Sequence, residues 1–105
     1  MAGITAAELR AVTIGRPPIG RRGYRPEEVD AFLARAAEAL EARAAGRVPV
    51  MGPDDVHAVV FGKPGFRAGR GYDEDQVDDL LAAVAAALSG TTARGIELNG
   101  RPFQP

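Results

Sequence analysis

The sequence predicts an all-α protein made of two tandem helix-loop-helix repeats. Three observations lead to this prediction. Apolar residues recur at helical spacing in two stretches, and segments dense in Gly and Pro lie between the helical stretches. In addition, the segment RRGYRPEEVDAFL at residues 21–33 is repeated with substitutions as GRGYDEDQVDDLL at residues 69–81. We therefore expect the chain to carry one structural unit twice.

The correspondence between the two copies sets the expected domain organisation. Residues 4–20 match residues 51–67 and, after one extra residue in the second copy, residues 22–40 match residues 70–88. Two copies are too few for a solenoid, so a paired arrangement is expected. The division that follows is a first repeat at 1–46, a linker at 47–52, a second repeat at 53–90 and a C-terminal tail at 91–105.

Each repeat is expected to open with a short helix. In the first copy Thr5 is the predicted N-cap and Glu8, three residues later, is its capping-box partner. In the second copy Pro53 and two aspartates stand at N-terminal positions, which suit proline and acidic side chains.

A loop rich in Gly, Pro and basic residues follows each short helix. The loops read IGRPPIGRRGY at residues 14–24 and FGKPGFRAGRGY at residues 61–72, and such sequences interrupt helices. We expect Gly23 and Gly71 to adopt a backbone conformation closed to other residues. The tyrosine after each of them is expected to pack back as an anchor.

A long helix with one apolar stripe ends each repeat. Pro26 stands in the first turn of the first helix, and Asp73 is the predicted N-cap of the second, with Gln76 as its partner. We expect the two helices to pair as a short coiled-coil-like pseudo-dimer. The residues predicted to pair them are Val29, Phe32, Leu33, Ala36 and Leu40 in the first helix and Val77, Leu80, Leu81, Val84 and Leu88 in the second.

Composition narrows the class of function. The net charge of −1 argues against a nucleic-acid binder, and the absence of Cys excludes disulfides and Cys-ligated metals. The start of the sequence does not read as a signal peptide, so we expect a cytoplasmic protein. His57 is the single histidine, and no Ser or Thr has an evident base partner. We therefore expect no enzyme activity, no metal and no cofactor.

The second copy carries a family resemblance. Asp55-Val56-His57, then Phe61, Phe66-Arg67 and the run GYDEDQVD at residues 71–78 resemble the N-terminal domain of the bacterial DivIVA family. The family pattern is a short helix ending in Phe, a loop with an apolar and basic tip, and then RGYD-x-x-EVD-x-FL. The first copy matches more loosely. No heptads that could form the family's long coiled coil are present, so assembly into a lattice is not expected.

The resemblance implies a function at membranes. Family members are cytoplasmic scaffolds at division sites or poles, and their N-terminal domain is a parallel dimer whose loop tips insert an apolar residue, flanked by basic ones, into lipid. By position, the tip here is Phe66 with Arg67. The other loop residues assigned to membrane or partner binding are Lys63, Arg70, Ile19, Arg16, Arg21 and Arg22.

Two functions are left open by the sequence. The first is a non-catalytic accessory or scaffold protein of bacterial cell division or polar growth, which binds division proteins or DivIVA-family proteins and an anionic membrane surface. The alternative is a soluble adaptor that pairs with coiled-coil partners through Ala-rich helix faces, without lipid contact. Loop arginines are most often plain solvated surface. The tandem copies can pair within one chain, as a monomeric pseudo-dimer, or between two chains as a homodimer.

Overall fold

The computed structural model describes residues 3–65 and 69–90, which form four helices. These are α1 (Ala6–Ala11), α2 (Pro26–Ala44), α3 (Pro53–Ala58) and α4 (Glu74–Ser89). Among these residues the one strand-like feature is an isolated antiparallel bridge between Tyr24 and Tyr72. The prediction of an all-α fold with a short and a long helix in each repeat is confirmed.

The two short helices begin as their sequences indicate. Oγ1 of Thr5 accepts a hydrogen bond of 3.1 Å from the Glu8 N–H, and Oε1 of Glu8 accepts one of 2.9 Å from the Thr5 N–H. In α3 the carboxylate of Asp55 accepts a hydrogen bond of 2.8 Å from the Gly52 N–H. Both helices therefore have their first N–H groups satisfied locally, as capped helices require.

The predicted N-cap position of α4 is confirmed, but the predicted capping by side chains is wrong. Asp73 occupies the N-cap position, but its side chain makes no capping hydrogen bond. Gln76 turns away from the cap and accepts a hydrogen bond of 2.8 Å from the N–H of Gly15, in the other repeat. This partner, Gly15, lies 61 residues away in sequence, so the residues around Gln76 do not predict the contact. The end of α4 follows the prediction, because Gly90 has a φ of +81°, the left-handed conformation that favours glycine.

The long helices α2 and α4 lie side by side and run in the same direction. The bridge between Tyr24 and Tyr72 lies just before their first turns, and at the far end Arg43 lies beside Gly90. Helix α1 packs on α2 and helix α3 packs on α4. The predicted pairing of the two long helices is confirmed.

The core follows the apolar stripes of the long helices. Val29, Val77 and Val84 are fully buried, and so are Ala36, Ala37 and Ala39 of α2. The residues of the predicted stripes that are buried are Val29, Phe32, Leu33, Ala36, Leu40, Val77, Val84 and Leu88, whereas Leu80 and Leu81 are partly buried at its margin. The ring of Phe61 reaches from repeat 2 to Phe32, with centroids 5.8 Å apart in an edge-to-face arrangement.

The two glycines before the tyrosines have different roles. Gly71 has a φ of +82°, as predicted. Gly23 is not in the left-handed region, so the same prediction is wrong for it. Glycine is required at position 23 for a steric reason instead, since a Cβ atom there would lie 1.7 Å from the carbonyl oxygen of Tyr72. The close approach of the two backbones at the bridge explains the glycine.

Candidate functional site

The two loops meet at one end of the helix pair. Loop 1 (residues 12–25) leads into α2, and loop 2, described at residues 59–65 and 69–73, leads into α4. Because the two helices are parallel, both loops and both first turns lie at the same end, which we call the loop end. The contact between the two repeats at this end is called the seam.

The seam begins with reciprocal backbone hydrogen bonds. Tyr24 and Tyr72 exchange two N–H to carbonyl bonds of 2.9 Å each. The next residues then bond across to the opposite loop, Arg25 N–H to the Gly62 carbonyl and Asp73 N–H to the Gly15 carbonyl, both at 2.8 Å. Each bond has its counterpart at the equivalent position of the other repeat. The two repeats are therefore related by a pseudo-twofold axis that passes through the bridge.

Hydrogen bonds of side chains follow the same pseudo-twofold relation between the repeats. The Gly15 N–H donates to Oε1 of Gln76, and the Gly62 N–H donates to Oε1 of Glu28, both at 2.8 Å. The hydroxyl of Tyr24 donates to Asp78 at 2.9 Å, and that of Tyr72 donates to Asp30 at 2.8 Å. Every tyrosine thus anchors its own loop to the long helix of the other repeat.

The environment of both tyrosines favours the neutral phenol. Partial burial, followed by the hydrogen bond to Asp78, raises the pKa of Tyr24. The hydrogen bond to Asp30, followed by partial burial, raises the pKa of Tyr72. A phenolate beside a carboxylate would lose its donor and gain a like charge, which explains the shared direction.

A second group of contacts runs across the seam without a counterpart. The guanidinium of Arg25 donates to the Lys63 carbonyl at 3.0 and 3.3 Å, and that of Arg22 donates to the Pro64 carbonyl. Nζ of Lys63 donates to the Arg22 carbonyl at 3.2 Å and lies 5.6 Å from the centre of the Tyr24 ring, while it also pairs with Glu74 of its own repeat. These basic side chains hold the stem of loop 2 against repeat 1.

The other basic residues of the loop end face solvent or lie at its margin. Arg16 and Arg21 are exposed and make no side-chain hydrogen bond or ion pair within residues 3–65 and 69–90. Arg70 is half-buried, and its carbonyl accepts a bond of 2.7 Å from the Gly23 N–H. Ile19, at the outer turn of loop 1, is 91% exposed. Phe66 and Arg67 lie outside the described residues.

Sequence reasoning missed the polar partners that join the repeats. It placed Asp30, Asp78, Glu28 and Gln76 on helices but gave them no role across the seam. A usable signal was present, because both the tyrosine and the aspartate six residues later stand at equivalent positions in the two copies. A pair of residues that recurs in both repeats is a candidate for a contact between them.

The described residues contain no group of three His, Asp or Glu side chains arranged to hold a metal ion. His57 is exposed on α3. No helix among these residues combines the length and apolarity needed to cross a bilayer. Among the described residues, loop 1 exposes Ile19 between Arg16 and Arg21, and loop 2 exposes Val60 to 87%.

Comparison with known proteins gives one local similarity. A segment of 30 residues is 53% identical to the cell wall synthesis protein Wag31 of Mycobacterium tuberculosis, and it covers 29% of this chain and 12% of that protein. The Wag31 proteins of Mycobacterium leprae and Mycolicibacterium smegmatis match at 53% identity over 30 residues, 11% of each. Wag31 is a DivIVA-family protein, so the similarity supports that resemblance for part of the chain. No family model and no solved structure matches this chain.

Proposed function

We propose that this protein is a non-catalytic accessory module of bacterial cell division or polar growth, and that its loop end binds the anionic inner face of the cell membrane. The observation that carries the proposal is Ile19, 91% exposed at the outer turn of a basic loop. The local similarity to a cell wall synthesis protein supports the cellular process.

The basic side chains of the loop end fall into two groups: some bond within the protein, and others are left to contact lipid. Lys63 pairs with Glu74, and the side chains of Arg22 and Arg25 each donate to a carbonyl group of loop 2. Arg16 and Arg21 remain available to lipid headgroups. Each adds about 1 kcal/mol at an anionic surface, and an inserted isoleucine contributes about 1.5–3 kcal/mol. Binding through the described residues therefore depends chiefly on loop 1 and is weak and reversible.

The interior of the helix pair bears on the alternative function. An adaptor that uses Ala-rich helix faces needs those faces to be accessible. Ala36, Ala37 and Ala39 of α2 are fully buried within this chain, whereas Ala82 of α4 is exposed. The buried face of α2 is therefore closed to a coiled-coil partner. We favour the membrane surface as the ligand because Ile19 is the most exposed large apolar side chain among the described residues.

Co-sedimentation with liposomes tests the proposal. The wild type is expected to sediment with anionic vesicles (phosphatidylglycerol mixed with phosphatidylcholine) and not with pure phosphatidylcholine. The double variant Ile19→Ala, Arg21→Ala is expected to lose most of this binding. The matched control is Arg47→Ala, Val48→Ala in the linker beyond α2, where Val48 is 90% exposed.

The control makes the same chemical change at the opposite end of the molecule, so it is expected to bind like wild type. Equal losses in both double variants would mean that net charge, and not the loop end, determines binding. No binding of the wild type at low salt would contradict the membrane proposal and leave the adaptor function.

A further inference from the structure

The contacts across the seam differ in what they require of the partner. The reciprocal contacts use a backbone bridge, a tyrosine with an aspartate, and a loop N–H with a Glu or Gln side chain. Both repeats contain all of these groups. The reciprocal contacts would therefore form equally well between two first repeats, two second repeats or one of each, and they cannot select among these pairings.

The one-way contacts do discriminate. They depend on Arg25, where repeat 2 has Asp73, and on Lys63 with Glu74, where repeat 1 has Arg16 and Pro26. We propose that the seam is specific for one repeat of each kind, and that Arg25 selects repeat 2 as the partner of repeat 1. The partner is the second repeat of the same chain.

A pair of two second repeats would keep an arginine in the place of Arg22, namely Arg70, but would lack the donor at position 25. Asp73 would stand where Arg25 now donates twice to the Lys63 carbonyl. A carboxylate has only acceptor atoms, so both hydrogen bonds would be lost and like partial charges would face each other. The contact that fixes the stem of loop 2 would become repulsive on both sides of the pair.

A pair of two first repeats would accumulate positive charge. Arg16 would take the place of Lys63, close to Arg22 and Arg25 of the other copy. Pro26 would take the place of Glu74, so the carboxylate that now neutralises Lys63 would be missing. Opposed like charges at a contact disfavour the wrong pairing more than they stabilise the right one.

The identity of residue 25 supports this reading. Arg25 is the N-cap of α2 and makes no capping hydrogen bond, although an Asp at this position is one of the best N-caps. If residue 25 served only to cap α2, Asp would be more favourable than Arg at this position. The bonds of Arg25 go instead to the Lys63 carbonyl and to Glu28, whose other contact is the Gly62 N–H of repeat 2.

The test uses the full chain with Tyr24→Cys and Tyr72→Cys, since the native sequence has no cysteine. Opposite residues in a hydrogen-bonded antiparallel pair are about 5.5 Å apart between Cα atoms, which permits a disulfide. A site for a specific protease is inserted after Arg47 and cut once the protein has folded. The fragments are mixed in mild denaturant, refolded and oxidised, and mass spectrometry counts the three possible disulfides.

The mixed 24–72 disulfide is expected to exceed each like-with-like disulfide by about tenfold or more. Adding Arg25→Asp should move the products toward the statistical mixture, whereas Arg35→Asp, at an exposed position of α2, should leave them unchanged. A statistical mixture in the parent protein, or equal responses to the two aspartates, would overturn the proposal.

A second measurement covers the case in which the cut protein does not refold. In the uncut chain with native tyrosines, Arg25→Asp is expected to lower the urea midpoint. Better helix capping alone would raise it. A midpoint at or above that of the wild type would therefore overturn the proposal without any use of fragments.

Discussion

The hydroxyl of Tyr24 donates a hydrogen bond of 2.9 Å to Asp78, which fastens the end of loop 1 to the second turn of α4. Tyr72 bears the same relation to Asp30, at 2.8 Å. Because both bonds cross between the repeats, neither repeat completes its own anchor. The loops and the long helices of the two copies are therefore expected to unfold together.

Tyr24→Phe is expected to destabilise the protein by about 1 kcal/mol, because it removes one hydrogen bond and leaves Asp78 free to bind water. For a domain of this size the melting temperature should fall by about 4–8 °C per kcal/mol. Thermal unfolding followed by circular dichroism measures the change.

The reciprocal variant Tyr72→Phe provides the matched comparison. The pseudo-twofold relation predicts a loss of similar size. A large loss for one tyrosine and none for the other would show that the two anchors are not energetically equivalent.

Stability is expected to decrease at alkaline pH. The folded state raises the pKa of both tyrosines above the ordinary value, so it binds the phenolic protons more tightly than the unfolded chain does. The resulting contribution is complete below the unfolded pKa of about 10 and is lost as the pH rises through the folded pKa. Urea unfolding at a series of pH values from neutral to alkaline measures this loss.

The double variant Tyr24→Phe, Tyr72→Phe serves as the control, since it retains Lys63 and the arginines. It should lose less stability than the wild type over the same alkaline range. Identical pH profiles for the two proteins would assign the alkaline loss to other groups.

Gly23→Ala is expected to destabilise the protein by about 3 kcal/mol or more, in the range of severe steric substitutions. The new methyl group would lie 1.7 Å from the Tyr72 carbonyl oxygen and force the bridge apart. The control is Gly65→Ala, because a Cβ atom there meets nothing within 4 Å and the glycine is not in the left-handed region. Chemical denaturation compares the two, and equal effects would rule out the steric role of the bridge.

The helices were predictable because their information is local. The stripe of α2, the capping box at Thr5 and the stop at Gly90 each depend on residues within a few positions of one another. The pairing of the long helices followed from their stripes, because two apolar faces in a short chain must cover each other.

The seam was less predictable because its partners lie far apart in sequence. Gln76 caps no helix, since the Gly15 N–H of the other repeat is a competing donor. Gly23 needs no unusual φ, since the constraint is the backbone of Tyr72. Lys63 and Arg22, which sequence reasoning placed among the surface-binding residues, bond to groups of the protein. The composition of the loops predicts that these side chains are charged, but it does not predict which groups they contact.

The electrostatic and the apolar contributions to lipid binding are expected to respond differently to salt. Arg21→Ala should reduce the salt dependence of liposome binding, because it removes a charge that salt screens within about 10 Å at 0.1 M. Ile19→Ala should weaken binding by about tenfold with an unchanged salt dependence, because insertion of an apolar group is not screened. Sedimentation at several salt concentrations separates these effects. If both variants changed the slope equally, the apolar tip would have no separate role.

The chain is expected to be a monomer of 11.0 kDa, because the reciprocal contacts of the seam are satisfied within one copy. Light scattering coupled to size-exclusion chromatography measures the mass. The variant with Val48, Pro49 and Val50 deleted should shift toward a dimer, because the shortened linker strains the intrachain path and favours exchange between copies. A wild-type dimer would show that the repeats pair between chains.

The covalent joining of the repeats also changes how this fold tolerates mutation. In a dimer of identical chains, every substitution at a twofold contact appears twice, so a new charge must be acceptable opposite its own copy. Here residue 25 is Arg and its equivalent, residue 73, is Asp, a combination that a symmetric dimer cannot contain. Linkage in one polypeptide frees each half of the contact to accept substitutions independently. One loop can then keep the interface intact while the other is free to acquire a new ligand.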